Sequence, residues 1–367
     1  MASHIEELDH SNEGDANSST TEWLVSKEGE VRGLGVDEGF AVLGEHEHDH
    51  NGTRAPSTME WLASKGVEVR DLGLDKGFAA FALRKFEKGD LILTEKPTTW
   101  VHGHHPFDST QVAEIEEKVG ALSEEDRRAF YDMSNVFPEA ATKATGIFMT
   151  NCFDMTNAPH GESCAMYIAI ARLNHSCTPN AQQTHIPETG EEVLYASRTI
   201  EIGEEINDCY IDLRQSTSMR KKDLLEYYRF ECTCSACTLC DARDDAKRTR
   251  AQELDERIMD AIAEDGPEMA LEIAKDALRL LLTDDNSNSN GEEEQQGPCC
   301  LRWSARFIPD AHSTVSQLAA AVGSTALART HAQKAYDELL LLQGPRSPDT
   351  KAAASKRGVK SKKSKTL

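Results

Sequence analysis

Cys232, Cys234 and Cys237 stand in a Cys-x-Cys-x-x-Cys run, a spacing that puts three soft sulfur ligands on one tight loop. Tetrahedral zinc takes four such ligands, and four thiolates leave no open position for water, so the chemistry implied is structural. Spacing alone leaves the fourth ligand open between the local Cys240 and the distant Cys177. A second concentration of reactive groups is Arg172-Leu173-Asn174-His175-Ser176-Cys177-Thr178-Pro179-Asn180, which matches neither helical nor strand periodicity. It packs amide, imidazole, hydroxyl and thiol groups into one run that stops at a proline. A polar loop with a buried cysteine would explain it plainly. What argues for more is the order of the signals that follow: Gly203-Glu204-Glu205-Ile206, then Tyr210, then Phe230, then the cysteine run.

In that order these residues resemble the SET-domain protein-lysine methyltransferases, most closely the SMYD-like branch. There, an Asn-His-Ser-Cys-x-Pro-Asn run, a Gly-Glu-Glu-Ile…Tyr run and a Cys-x-Cys-x-x-Cys run occur in sequence. The resemblance covers residues 57 to 240. It implies a SET fold, mainly β with α: short curled sheets around a pseudoknot, a helical insert, a zinc-binding post-SET loop and a helical C-terminal appendage. It further implies methyl transfer from S-adenosylmethionine to lysine side chains of a basic protein, with histone tails as the first substrate class. On the same basis Tyr210 matches the catalytic tyrosine and a donor contact. Asn174 and His175 match residues that hold the donor through main-chain and amide contacts, Asn151 matches an upstream contact, and Phe230 matches the aromatic that covers the adenine. Gly77 and Ala79 match the first donor-binding turn, and Cys177 joins Cys232, Cys234 and Cys237 as the fourth zinc ligand.

The chain departs from the family pattern in three places, one of them Asn207-Asp208-Cys209, which is more polar than the usual strand before Tyr210. Gly77-Phe78-Ala79 stands where the family has Gly-x-Gly, which adds a Cβ where bare backbone would lie against the donor. The cysteine pattern of the MYND zinc module is also missing. The alanine supports a rival reading, a zinc-stabilised SET scaffold that binds basic peptides without transferring methyl groups. Tyr210, Asn174 and His175 support the enzyme.

The elements that must position these groups are read from periodicity and turn chemistry. Ala80-Phe81-Ala82-Leu83 and Leu91-Ile92-Leu93, separated by Lys88-Gly89-Asp90, read as a pair of short strands. Over residues 108 to 145, Val112, Ile115 and Val119 fall at helical spacing, and Ser123-Glu124-Glu125-Asp126 has cap chemistry. This is the expected insert. Strand-like pieces are expected from Ile147 to Ile211, and Lys222 to Tyr228 reads as a helix leading into the cysteines. The domain layout is therefore a SET domain over 57–212, a post-SET zinc segment over 213–242 and a helical region over 243–343 containing an acidic linker at 284–297. A disordered basic tail is expected over 344–367.

Residues 1–56 are expected to be disordered and contain a partial repeat. Glu22-Trp23-Leu24, Glu30-Val31-Arg32 and Gly39-Phe40-Ala41 return at a constant offset as Glu60-Trp61-Leu62, Glu68-Val69-Arg70 and Gly77-Phe78-Ala79. Two copies are too few for a solenoid. His46, His48 and His50, like His102, His104 and His105, are read as solvated polar residues without a metal role.

The 367 residues can bury one or two cores. The formal charge of −23 includes a tail of uncompensated lysines and arginine from Lys351 to Lys365, so the body is more acidic still. Such a body repels nucleic-acid phosphates and attracts basic partners. No apolar run approaches bilayer length, and the first residues lack a signal peptide's basic start and apolar stretch. The expected location is nucleus or cytoplasm, with no membrane partner. In a reducing compartment the ten cysteines point to thiols and metal rather than disulfides. The run Lys356 to Lys365 has the composition of a nuclear localisation signal or of a solvated end.

Overall fold

The computed structural model describes residues 58–73, 77–103, 107–155, 161–239, 242–264, 266–283 and 303–357. The first repeat copy, His46, His48, His50, His104, His105, Cys240, the linker 284–297 and the tail from 358 lie outside the described residues.

Helix α1 (Thr58–Ser64) buries Leu62 and leads through Gly66, at φ +85°, into β1 (Val67–Asp71), which pairs antiparallel with β2 (Phe78–Ala82). After the turn at Gly89 come β3 (Leu91–Glu95) and β4 (Thr99–His102). The expected pairing of the Ala80–Leu83 and Leu91–Leu93 stretches does not form. Instead β2 joins β1, and β3 joins a strand from much later in the chain. The intervening segment is tied elsewhere, Phe86 bridging Ile200 and Gly89 N–H donating to Ala196 O.

The insert is helical. In α2 (Ser109–Gly120) the Asp108 side chain accepts from Thr110 and Gln111 amides while Gln111 accepts the Asp108 amide, a reciprocal cap. Ser123 caps α3 (Glu124–Tyr131), and Thr142 caps α4 (Lys143–Asn151). Strand was expected from Ile147, but α4 continues through Asn151. Its short apolar run is ambiguous by periodicity, and burial of Ile147 and Phe148 against Ile115, Val119 and Phe130 decides it. Full burial of each such side chain stabilises by roughly 1.5–3 kcal/mol.

Strand β5 (Phe153–Asp154) pairs with β6 (Ser163–Met166), which pairs in turn with β4. A single turn, Ile170–Arg172, precedes β7 (Asn174–His175). Strands β8 (Ala181–Ile186) and β9 (Glu191–Ala196) form a hairpin whose β9 takes β3 as its other neighbour. Strand β10 (Asn207–Asp208) runs parallel to β7. The short sheets thus come from the first part of the chain and helices carry the rest.

Ser216 caps α5 (Thr217–Tyr228), which ends at Arg229 in the left-handed region, φ +58°. The cysteine loop contains α6 (Ser235–Thr238). Helices α7 (Ala242–Glu264), α8 (Pro267–Leu282), α9 (Ile308–Ala321) and α10 (Thr325–Gln343) pack on one another around Leu254, Ile258, Leu271, Ala274 and Val315. Helix α10 also lies on β8 and β9. Lys88 pairs with Glu338 at 2.8 Å and Arg346 with Glu191 at 2.5 Å. The basic tail expected to be disordered from 344 instead forms α11 (Pro348–Arg357) over its first part. Its Thr350 and Ala353 are buried, and Lys351 reaches Glu188 at 2.6 Å. Among the described residues no helix is long and apolar enough to cross a membrane.

Between α9 and α10, His312 and His331 share a 2.9 Å Nδ1 to Nδ1 contact. Burial first, then the charges of His331 and Lys334, push the His312 imidazole down to about 4; burial and nearby lysines also lower His331. An unfolded histidine protonates near about 6.5. Below that pH the unfolded chain takes up protons that the folded pair refuses. This contribution to stability is whole above about 6.5 and is lost as pH falls towards 4. Thermal midpoints across that window should fall more steeply for the wild type than for His312→Leu, and parallel curves would refute the assignment.

The second repeat copy shows what a replacement by the first would meet. Gly66 needs a left-handed backbone, and a Cβ there would lie 2.8 Å from Arg84 Cγ; the first copy has Glu28 at that position. Buried Val67 and Ala82 correspond to Gly29 and Gly44, and buried Ala80 corresponds to Val42. The first copy would therefore strain one position, underpack two and overfill one. Deleting residues 1–50 is expected to leave the urea midpoint of the protein unchanged; loss of folding would show the first copy to be needed.

Candidate active site

The 174–180 segment is held by its own asparagines. Asn180, 1% exposed, donates from Nδ2 to Glu205 O at 2.8 Å and accepts the Asn207 amide at 2.8 Å. Asn174 Nδ2 donates to Glu205 Oε1 at 2.9 Å, and the Ser176 amide donates to Asp208 O at 2.8 Å. The Gly203-to-Asp208 run also bonds to β2, through the amides of Gly203 to Ala82 O and of Ile206 to Ala80 O. One stretch is therefore laced to both β2 and the 174–180 segment. This is why the Gly-Glu-Glu-Ile and Asn-His runs, far apart in sequence, meet.

Tyr210 emerges from that lacing. Its amide donates to His175 Nδ1 at 3.0 Å, and its hydroxyl donates to Leu173 O at 2.5 Å. Because Nδ1 accepts from a backbone N–H, the ring hydrogen of a neutral His175 sits on Nε2, 3.2 Å from Cys177 Sγ. His175 is neutral: burial pushes it down to about 4. Burial, then the charge of Asp208, raises the Tyr210 phenol well above its ordinary value, so the hydroxyl stays protonated. Ring centroids lie 5.3 Å apart for His175 and Tyr210, 6.2 Å for His175 and Phe230, and 6.5 Å for Tyr210 and Phe230.

Tyr228 completes the cluster. Its ring is 5.0 Å from that of Tyr210, and its hydroxyl donates to Tyr210 O at 3.1 Å. Sequence reading placed it on a helix but gave it no role; as one of two adjacent tyrosines before Phe230 it carried no spacing of its own. Glu95 is another addition. Its carboxylate accepts the amides of Ala169 and Ile170, both at 2.9 Å, and so fixes the turn ending at Leu173, the Tyr210 acceptor. Burial pushes Glu95 up to about 7 despite those bonds. Arg306 reaches Asp208 at 3.4 Å and contacts Cys209, between the end of β10 and Tyr210.

Gly77 takes φ +63°, a conformation a Cβ would strain. A Cβ there would lie 3.5 Å from Ser134 Oγ, and Ser134 O accepts from Asn151 Nδ2 at 2.8 Å. Gly77 and Asn151 therefore border the same stretch of the insert. Ala79 is fully buried in β2, opposite Arg70. Among the described residues the only non-glycine with positive φ is Arg229, so Ala79 has ordinary strand geometry and its methyl group is already accommodated. Strand β2 also contacts β7, which carries Asn174 and His175.

The ligand atoms of Cys177, Cys232, Cys234 and Cys237 all lie within 4.8 Å of one another, Cys177 and Cys237 at 3.5 Å. With metal–sulfur bonds of about 2.3 Å a tetrahedral site needs sulfurs roughly 3.8 Å apart, so the donor set fits zinc in number, type and spread. Contacts with the other three thiols hold Cys234 below the ordinary cysteine range. All four are free thiols. Two buried arginines, Arg220 and Arg248, stand behind them. Arg248 Nε donates to Asp244 at 2.7 Å, Asp244 accepts Trp303 Nε1 at 2.8 Å, and Arg248 also donates to Leu213 O and Cys177 O. His102 packs edge-on against Trp100 and lies 3.5 Å from Glu114 on the surface.

The profile of the SET domain family matches residues 77–211. The histone-lysine N-methyltransferase set5 of Schizosaccharomyces pombe is 36% identical over 126 residues, which cover 34% of this chain and 38% of that protein. Human histone-lysine N-methyltransferase SMYD3 is 40% identical over 89 residues, covering 24% of this chain and 20% of its own length. Zebrafish N-lysine methyltransferase SMYD2-A is 34% identical over 128 residues, covering 34% and 29%. The chain thus spans well under half the length of these relatives. The matched stretch contains the β2 turn at Gly77, the laced 174–180 segment and Tyr210, and the chain carries a SET domain over those residues.

Proposed function

We propose that this protein is a protein-lysine N-methyltransferase that uses S-adenosylmethionine, with Tyr210 as its catalytic residue and a structural zinc held by Cys177, Cys232, Cys234 and Cys237. The observation that carries the reading is the convergence of Tyr210, His175, Tyr228 and Phe230 beside the Asn174 strand.

The donor supplies a methyl group activated by a sulfonium. The chain's own task is to align a neutral amine with it and to exclude water. Tyr210, held protonated and bound to Leu173 O, acts as an oriented dipole rather than a base. Tyr228 and Phe230 wall the same space with aromatic surface. The backbone at Gly77, the Asn174 strand and the Asn151 helix end would hold the donor, with Phe230 over its adenine. The zinc would tie the Cys232–Cys237 loop, and hence Phe230, to Cys177 beside His175. Basic proteins, histone tails first, are the substrate class. The acidic chain, at −23, favours such partners, and the relatives above are histone-lysine and N-lysine methyltransferases.

The rival scaffold reading rests on Ala79; the backbone there has ordinary strand geometry, so its methyl group strains nothing in the chain itself, and donor binding decides between the two. Incubation with methyl-labelled S-adenosylmethionine and core histones should transfer label, and calorimetry should detect donor binding. Basic-peptide binding with neither donor binding nor label would establish the scaffold. Elemental analysis should return about one zinc per chain; a metal-free, stably folded protein would overturn the zinc assignment.

A further inference from the structure

Four thiolates around a divalent cation leave net negative charge in the protein interior, and buried charge without a counter-charge is unfavourable. Of the two guanidiniums behind the cysteines, that of Arg248 is committed to Asp244 at 2.7 Å. Arg220 differs. Its side chain is wholly buried, and its Nη atoms donate to Gln215 O at 2.5 Å and Thr217 Oγ1 at 2.9 Å. Asp245 stands at 3.7 Å and spends Oδ1 on the Thr217 amide and hydroxyl. Among the described residues Arg220 Nε has no hydrogen-bond partner. Arg220 shares its buried face of α5 with Leu224, one turn on, which packs in one cluster with Cys177, Cys232 and Cys237, and the thiols whose charge acts on its guanidinium are those of Cys177 and Cys237.

We propose that Arg220 is the counter-charge of the four-cysteine site, a positioning residue whose guanidinium offsets the negative charge of the metal-bound thiolates of Cys177 and Cys237. The inference rests on the zinc reading above and extends it to a residue outside the motif. A neutral side chain at 220 would leave the filled site uncompensated, while the empty site would lose little. Arg220 therefore favours the metal-bound state in particular and is more than a brace for the loop.

The test uses the full chain loaded with zinc, and reads zinc loss to a chromogenic chelator alongside the absorption of the cobalt-substituted protein. Removing a group that supports metal ligands typically weakens metal binding by about 10- to 100-fold, and Arg220→Gln is expected to do so while keeping the far-ultraviolet circular dichroism of the zinc-loaded protein. Arg220→Lys, which retains the charge but not the fork of donors, should hold zinc close to the wild-type level. Thr217→Val, which removes a hydrogen bond of Arg220 without touching its charge, should do the same. Wild-type retention by Arg220→Gln, or equal loosening by Thr217→Val, overturns the proposal. If Arg220→Gln does not fold, Arg220→Lys decides: retention upholds the proposal and loss overturns it. A wild-type protein that binds no zinc sinks the zinc reading itself, a separate outcome.

Discussion

Replacing Tyr210 with phenylalanine is expected to lower kcat by about 10²–10³-fold, the range seen when one pre-aligned polar group is removed from a transition state. The substitution is nearly silent elsewhere. Phenylalanine keeps the ring that packs against Tyr228 at 5.0 Å, His175 at 5.3 Å and Phe230 at 6.5 Å, and the backbone bond to His175 is untouched. What disappears is the hydroxyl and its bond to Leu173 O, a stability cost of about 1 kcal/mol. Donor affinity by calorimetry and thermal midpoint should therefore stay near wild type while turnover collapses. Because the phenol is raised by burial, its ionisation should not cut activity anywhere below its ordinary pKa of about 10. Undiminished turnover in the variant would remove Tyr210 from the chemistry.

Asp244→Ala is expected to destabilise the fold by about 3–5 kcal/mol, the usual result of deleting one partner of a buried ion pair. Arg248 and Trp303 are both fully buried, and Asp244 is 5% exposed. Without the carboxylate, Arg248 keeps its charge in the interior and Trp303 Nε1 loses its acceptor. The cost comes from the charge left behind more than from the bond removed. Urea unfolding of the purified variant measures it, and a loss under about 1 kcal/mol, typical of an exposed pair, would show that solvent relieves Arg248. The variant also probes how the C-terminal helices serve the site. Arg248 donates to Leu213 O and Cys177 O, so α7 braces the loop that follows Tyr210 and the chain at Cys177.

Local chemistry was legible wherever its effect spans a few residues. Ser123 is a cap whose partner lies within one turn, so the start of α3 follows from a short sequence window, whereas α5 begins at Thr217 on a Ser216 cap, ahead of the Lys222 start read from the sequence. The Asn-His, Gly-Glu-Glu-Ile and cysteine runs likewise declare their chemistry by residue type and spacing. Long-range partnerships leave no such trace. The β3 neighbour is β9, a hundred residues on, and β1, not β3, takes β2. Helix α11 looked like a solvated tail because its few small apolar residues gain burial only against α10 and its lysine finds Glu188 only in the fold.

By itself the sequence determined which groups are available: a tyrosine after Gly-Glu-Glu-Ile, an Asn-His-Ser-Cys segment, three clustered thiols and a glycine that tolerates φ +63°. The tertiary structure decided which of them meet. It brought Cys177 to the later cysteines, set Leu173 O before the Tyr210 hydroxyl, added Tyr228 to the aromatic wall and placed Arg220 and Arg248 behind the sulfurs. The physical reason is range. Caps and turns are stabilised within a few residues and are written locally, whereas a buried charge, a threaded strand or a shared metal site gains its stability only when distant segments close on one another.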